Sequence, residues 1–336
     1  MNAEVGVLIP VWNGASTLEA CLHSLARQTL SDFIVLVVDD GSTDETPERL
    51  EEWIKRDNRF HALTQPHLGL VPALNAGLSA LETPLIARLD ADDIALPERL
   101  AQQRNRLSDH PEEDLVACRY AIRSGSPVGP GSEAYRDWQN GLITHEEIVR
   151  NLYVESPIAH PTVMFRRNVV LALGGYRDMG WVEDYDLWLS MAQSGTRFSK
   201  LPEVLVEIGH DSGRLTWTDP RCRVESFFRC KGHFLARDSR VRDNPVLIIG
   251  AGIAAGRLGR ALLAEGAEVA AFLEVDPRKI GGEKRGRPVV SWDEGFNCWP
   301  RRFTLVAVGA REVRQGIRSA LNERGLVEER DYLFAA

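Results

Sequence analysis

Three polar clusters interrupt the first part of the chain, each where a short apolar run stops: Pro10-Val11-Trp12-Asn13, Asp39-Asp40-Gly41-Ser42 and Asp90-Ala91-Asp92-Asp93. Ligands of open α/β sheets bind beyond the carboxyl ends of strands, so three such ends describe one rim able to grip a polar ligand. A single acidic turn means little, because Asp serves routinely in turns and at helix starts. Three on one rim suggest a shared role. Asp90 and Asp92 can project to the same side of an extended segment and bring two carboxylates to one hard cation. Mg2+ or Mn2+ prefers such oxygen ligands, completes its shell with diphosphate oxygens and water, and neutralises charge building on a diphosphate leaving group. The competing reading has Asp92 or Asp93 capping the helix that begins near Pro97. Glu183-Asp184 is a further acidic pair. A carboxylate near other carboxylates and partly buried holds its proton more tightly, which helps a general base. The alternative is that both acids simply favour the positive end of the helix that follows.

The elements that must position these residues alternate in the manner of an α/β protein with a largely parallel sheet. Val5 to Val11 reads as a strand, and Ser16-x-x-Glu19 as a capping box opening a helix to about Gln28. Phe33 to Val38 is a second strand, and Ser42-x-x-Glu45 caps a helix to about Arg56. Pro84 to Leu89 is a third strand, and Pro97-Glu98-Arg99-Leu100 begins another helix. Arg123 to Ser132 is rich in Gly, Pro and Ser and reads as a mobile loop. Thr162 to Arg166 and Val204 to Ile208 read as strands, with a helix from about Asp184 to Ser194 between them. The polar stretch 238–243 reads as a linker, dividing the chain into 1–237 and 244–336. Beyond it come strand Val246 to Ile249, a glycine turn and helix, strand Val269 to Leu273, strand Phe303 to Val308 and a helix from about Glu312 to Arg324.

Composition narrows the function. A chain of 336 residues suggests about two domains, and 44% hydrophobic with 26% charged residues is the balance of a globular protein with a real core. A net charge of −8 argues against wrapping nucleic acid through its phosphates. Five scattered cysteines offer neither zinc-site spacing nor a disulfide framework. The first residues lack the features of a signal peptide, and no apolar run approaches 18 residues, so the expected location is the cytoplasm, without a membrane span.

These motifs also carry a resemblance. Val7-Leu8-Ile9-Pro10-Val11-Trp12-Asn13-Gly14, then Val38-Asp39-Asp40-Gly41-Ser42-Thr43-Asp44, is similar to the opening of the glycosyltransferase family 2 catalytic domain. Ala73-Leu74-Asn75-Ala76-Gly77, Ala87-Arg88-Leu89-Asp90-Ala91-Asp92-Asp93, His160-Pro161-Thr162, Gly174-Gly175-Tyr176 and Glu183-Asp184-Tyr185-Asp186-Leu187-Trp188 continue it in the family's order, over about residues 3 to 210. The resemblance implies a GT-A nucleotide-diphospho-sugar transferase fold and an inverting transfer from a nucleotide diphosphate-sugar donor. It places Asp40 at the base, with Pro10, Trp12, Asn13 and Asp90 in the donor site. It places Asp90 and Asp92 at the metal diphosphate, and Asp184 as base beside Glu183. Trp12 stands where Tyr is more usual. His210, in Ile208-Gly209-His210-Asp211, lies where many such enzymes supply a third metal ligand, although the local pattern departs from the family's. The implied acceptor is a glycan or lipid-linked hydroxyl, which would bring the enzyme to the inner face of the membrane.

Some residues stay two-sided. His160 reads either as a structural hydrogen bonder or as a partner of the acceptor or of Glu183-Asp184. Trp138, Trp181 and Trp217 suit either sugar stacking or core packing, and Tyr135, Arg136 and Trp138 lie in the segment where the family builds its acceptor site. In the second domain Gly250, Gly252 and Ala255 fit a dinucleotide-type phosphate turn, with Glu274 and Asp276 ending the next strand where an acid can meet a ribose. That small Rossmann-like domain resembles the front domain of bacterial sugar acyltransferases. A nucleotide or NAD-like ligand, homo-oligomer formation and a redox half-domain all compete there. Two other functions remain open: a nucleotidyltransferase, which would need a basic glycine-rich loop that Val11-Trp12-Asn13-Gly14 is not, and a non-catalytic nucleotide-sugar sensor.

Overall fold

The computed structural model describes residues 3–125, 127–210 and 219–336; Trp217 lies outside them. They form two compact units, one holding 3–149, 157–179 and 183–210, the other 150–156, 180–182 and 219–336. No helix among the described residues is long and apolar enough to cross a membrane.

The first unit is built on β1 (Val5–Val11), β2 (Phe33–Asp39), β3 (Phe60–Thr64), β4 (Leu85–Arg88), β5 (Ile94–Ala95), β6 (Leu115–Arg123), β7 (Met164–Arg166) and β8 (Phe198–Gly209). They make one sheet in the order β3-β2-β1-β4-β7-β6-β8-β5. β1 to β4 run parallel, whereas β7 is antiparallel to both β4 and β6. Every residue of β1 is buried, as expected of a parallel strand covered on both faces. The helices are α1 (Ala15–Ala26), α2 (Thr46–Arg56), α3 (Leu70–Ala80), α4 (Arg99–Asp109), α5 (Pro130–Gly141), α6 (His145–Asn151), α7 (Arg167–Ala172) and α8 (Glu183–Gln193). Leu18, Cys21, Leu22 and Leu25 of α1 share a core cluster with Val5, Val7 and Ile9 of β1, and each fully buried leucine contributes about 1.5–3 kcal/mol. Register sets Val11 beside Asp39 and Leu8 beside Arg88, so the carboxyl ends of β2, β1 and β4 share one edge.

The two capping boxes read from the sequence do not form: neither α1 nor α2 has a side-chain cap. Long-range partners take their place. Gly14 N–H donates to Thr46 Oγ1 (3.0 Å) and Ala15 N–H to Asp44 Oδ2 (3.1 Å), while Glu19 accepts from Trp53 Nε1 (2.7 Å). The loop ahead of α2 therefore caps α1, which fastens the first two polar clusters together. The glycine- and proline-rich loop is shorter than expected, because β6 runs through Arg123 and Pro130 starts α5, where its missing N–H costs nothing.

The second unit contains β9 (Val246–Ile249), β10 (Val269–Glu274), β11 (Glu283–Lys284), β12 (Arg287–Ser291), β13 (Thr304–Val306) and β14 (Tyr332–Phe334), in the order β11-β12-β10-β9-β13-β14. All but the β11–β12 hairpin are parallel, and the order reverses at β9, a Rossmann-like arrangement. Gly250 follows β9 with φ +103°, a left-handed conformation that only glycine adopts cheaply. Phe228 and Leu235 of the helix Val224–Leu235 belong to this unit's core. The unit thus begins ahead of 238–243, the segment whose polarity suggested a linker and which holds a short helix, Ser239–Arg242.

Candidate active site

The first two clusters interlock. Asn13, at φ +50°, donates its N–H to Ser42 Oγ (2.8 Å) and accepts from Thr43 N–H through Oδ1 (2.8 Å). Pro10 is buried within β1, opposite Val38, so it shapes the rim from below. Trp12 is 53% exposed and stacks on His67, ring centroids 4.3 Å apart and 20° from parallel. The Asp40 carboxylate is buried and turned toward the loop before α3. It accepts from Gln65 Nε2 (2.6 Å), Leu68 N–H (2.9 Å) and Gly69 N–H (2.8 Å), and His67 Nδ1 lies 2.8 Å from it. Burial opposes its charge, but these donors outweigh burial and hold its pKa below the usual carboxylate value.

At the third cluster, one oxygen from each of Asp90, Asp92 and Asp93 lies within 4.8 Å of the others. Asp93 is fully buried and accepts Gly209 N–H (2.8 Å), which ties down the end of β8 instead of capping a helix. Asp90 and Asp92 are partly exposed, and all-oxygen donors of this kind suit Mg2+ or Mn2+. His210 follows β8, its N–H donating to Arg123 O (3.0 Å), and it is not in the carboxylate group. Arg88, buried at the end of β4, forms an ion pair with Asp90. The sequence reading gave Arg88 no role; an arginine inside an otherwise apolar strand, two residues before an acid, was the available signal.

Glu183 and Asp184 open α8. Glu183 is buried, and His160 Nδ1 sits 3.7 Å from its Oε1; His160 Nε2 in turn meets Tyr176 Oη at 3.0 Å. Burial, aided by Arg88, pushes His160 down to about 4, so its ring is neutral at pH 7. Burial also opposes the Glu183 charge, but the His160 ring, the helix-start N–H and Arg88 keep its pKa below the ordinary value. Asp184 moves the other way: burial first, then the Glu183 carboxylate, push it up to about 8. Two adjacent acids with separated proton affinities are an arrangement that can serve acid–base chemistry.

Two further motifs explain each other. Asn75 in α3 donates Nδ2 to Tyr176 O (2.8 Å) and accepts Tyr176 N–H through Oδ1 (2.9 Å). Gly175 has φ +78°, and a Cβ there would stand 2.5 Å from Asn75 Oδ1, so both glycine and asparagine are needed to aim Tyr176 at His160. Asn75→Ala leaves two backbone groups without these partners and should cost about 2–4 kcal/mol, read as a lower midpoint in thermal unfolding.

Of the tryptophans, Trp181 is buried with its ring 5.2 Å from His233, in the second unit's packing. Trp138 stacks on Tyr135 at 5.6 Å along the half-buried face of α5, where Arg136 is paired with Asp137.

The second unit's acids are both paired. Glu274 accepts the N–H groups of Ala251 (3.1 Å) and Val275 (2.9 Å) and pairs with Lys279 (3.1 Å), while Asp276 is held by Arg278 (2.9 Å). Glu274 also lines the cavity at this end of the sheet. Gly252 caps the helix Ile253–Ala264 without a side-chain bond, and Ala255 is buried against the sheet. At the carboxyl ends of β9 and β10 lies a cavity of about 660 Å3, lined by Gly250, Val275, Trp292, Ile317 and Arg324 among others.

The pattern of glycosyl transferase family 2 matches residues 6–174. The amylovoran biosynthesis glycosyltransferase AmsE of Erwinia amylovora is 33% identical over 206 residues, covering 60% of this chain and 74% of that protein. The S. aureus TarS 1-349 structure in complex with UDP-GlcNAc superposes with a TM-score of 0.57 at 18% identity, over 77% of this chain and 71% of that one. The mannosyltransferase PcManGT from Pyrobaculum calidifontis, in complex with GDP-Man and Mn2+, gives 0.52 at 18% identity, over 79% and 74%. At that identity the likeness to solved structures concerns the fold alone, which is GT-A.

Proposed function

The chain belongs to glycosyl transferase family 2, and on that premise we propose that it transfers a sugar, with inversion, from a nucleotide diphosphate-sugar to a glycan or lipid-linked hydroxyl. The observation that carries the reading is the acidic pair opening α8, where Asp184 stays partly exposed beside the buried Glu183 and is pushed up to about 8 by burial and by that neighbour, so that it can accept a proton near neutral pH. Asp184 would take the proton from the acceptor hydroxyl as its oxygen bonds to the anomeric carbon and the bond to the diphosphate oxygen breaks. One displacement with one base and no protein nucleophile inverts that carbon. Glu183 stays charged and, through its repulsion, keeps Asp184 basic. Asp90 and Asp92 would hold Mn2+ or Mg2+ against the diphosphate, His210 standing outside their group. The ion would neutralise the leaving group's charge. Trp12 and the Asp40 loop would hold the base, with Asn13 and Pro10 shaping the rim.

TarS bound to UDP-GlcNAc and PcManGT bound to GDP-Man and Mn2+ support a nucleotide-sugar donor and a divalent ion. AmsE, named for amylovoran biosynthesis, supports a surface-polysaccharide acceptor, met at the inner face of the membrane by a cytoplasmic enzyme. Tyr135 and Trp138 on α5 are the proposed acceptor-side stacking pair. The test is a panel of nucleotide-sugars incubated with the protein and Mn2+, following release of the nucleoside diphosphate. Slow hydrolysis of one donor, accelerated by an acceptor glycan, is expected; no turnover of any donor favours the sensor reading.

For the second unit we propose a nucleotide or NAD-like ligand in the cavity beside Gly250, with catalysis kept to the first unit. Its volume suits a ligand of that size. Trp292 and Arg324 would join Glu274 in lining that ligand's site. Ala320 lines the same cavity, so Ala320→Trp should abolish such binding and leave sugar transfer in place, as titration and turnover measured on one preparation would reveal.

A further inference from the structure

The Trp12 face and the Asp40 carboxylate, the two groups offered to a base in the donor site proposed above, are both held by one side chain. A carboxylate accepts in about four directions, and here the loop before α3 covers all of them, three by hydrogen bonds and one by contact. Three are fixed: Gln65 Nε2, and the N–H groups of Leu68 and Gly69 where the chain turns into α3. The fourth side is covered by His67, whose side chain is 52% exposed and whose Nδ1 meets the Asp40 backbone carbonyl at 3.1 Å and lies 2.8 Å from Oδ2. Its ring is the one stacked on Trp12. Backbone donors cannot leave without unwinding the start of α3, whereas an exposed side chain leaves by rotating.

We propose that His67 is an internal stand-in for the nucleobase: the base docks by displacing it from Trp12 and from Asp40. This rests on the donor-site reading. What His67 presents is a flat ring that, with its proton on Nδ1, points an N–H at the Asp40 carbonyl and carboxylate. Its substitute must present the same, a stacked heterocycle with an imide-type N–H. Uracil, thymine and guanine have one on the pairing edge. Cytosine and adenine turn a ring lone pair there, which the Asp40 charge repels. The Asp40 carboxylate thus sets the base class, and His67 guards the site.

The test is calorimetric titration of wild type, His67→Ala and Trp12→Ala with UDP, GDP and CDP in the presence of Mn2+. The expected result is binding of UDP or GDP but not CDP, tightened in His67→Ala by roughly three- to tenfold, the loss of one competing net hydrogen bond, and weakened in Trp12→Ala. Unchanged or weaker binding in His67→Ala, or binding of CDP by wild type as tight as that of UDP and GDP, overturns the proposal while leaving the donor site standing. If folded wild type and His67→Ala both bind no nucleotide, the donor-site reading fails and this inference falls with it.

Discussion

Asp184→Asn lowers sugar transfer by about 10²- to 10⁴-fold, the usual worth of a positioned general base, and leaves nucleotide affinity unchanged. The amide is nearly isosteric with the carboxylate but accepts no proton. Steady-state kinetics with the cognate donor separates the two effects, and full activity in this variant would remove Asp184 from the reaction. The pH dependence has a definite sign. A base must be unprotonated, and Asp184 is raised to about 8 by burial and Glu183, so the rate climbs through the neutral and mildly alkaline range instead of levelling off near pH 5. Stability runs the other way. The folded chain binds the Asp184 proton more tightly than the unfolded chain does, so folding loses stability as pH rises from the ordinary carboxylate range toward 8. Asp184→Asn should therefore unfold at a higher temperature than wild type at pH 8.5, with the difference shrinking at pH 5.

Arg88→Met is expected to be the most damaging substitution outside the reacting groups. Arg88 is a buried cation among Asp90, Asp93, Glu183 and Asp184, and its charge acts on the protonation of Glu183, Asp184 and His160. Removing one partner of a buried pair costs about 3–5 kcal/mol. Chemical denaturation at neutral pH should show a loss of that order. The surviving fold should also carry an Asp184 with still higher proton affinity, so any residual activity shifts to higher pH. A variant with wild-type stability and an unshifted profile would show that Arg88 is not the counter-ion of this site.

Periodicity made much of the scaffold readable. Phe33 to Val38 and Val246 to Ile249 are apolar β-branched runs that cannot be satisfied except as covered strands, and both were found with at most one residue's difference. The first capping-box reading failed at Ser16 for a reason that local sequence cannot supply: Asp44 and Thr46, some 30 residues away, had already taken the N–H groups of Ala15 and Gly14. The strand Phe60–Thr64 and the helix His145–Asn151 went unread because short half-buried segments give weak periodicity, and the strand Leu115–Arg123 because cysteine, arginine and tyrosine break its apolar run. In the candidate site the acids were legible by type and spacing, but their division of labour was not. That Asp93 ties down Gly209, that Glu274 folds back on the glycine turn, and that Asp40 is ringed by residues 65–69 all depend on tertiary contacts. His67, embedded in an ordinary-looking loop, carried no signal of its own.

The central claim is a metal-dependent donor site on the rim formed by β1, β2 and β4. Its most direct test is calorimetric titration of wild type and Asp92→Asn with UDP, GDP, CDP and dTDP, each with and without Mn2+. The account predicts nucleotide binding that requires the ion and disappears in Asp92→Asn. Nucleotide binding that is indifferent to Mn2+, persists in Asp92→Asn and is lost in Ala320→Trp would contradict it and move the ligand site to the second unit.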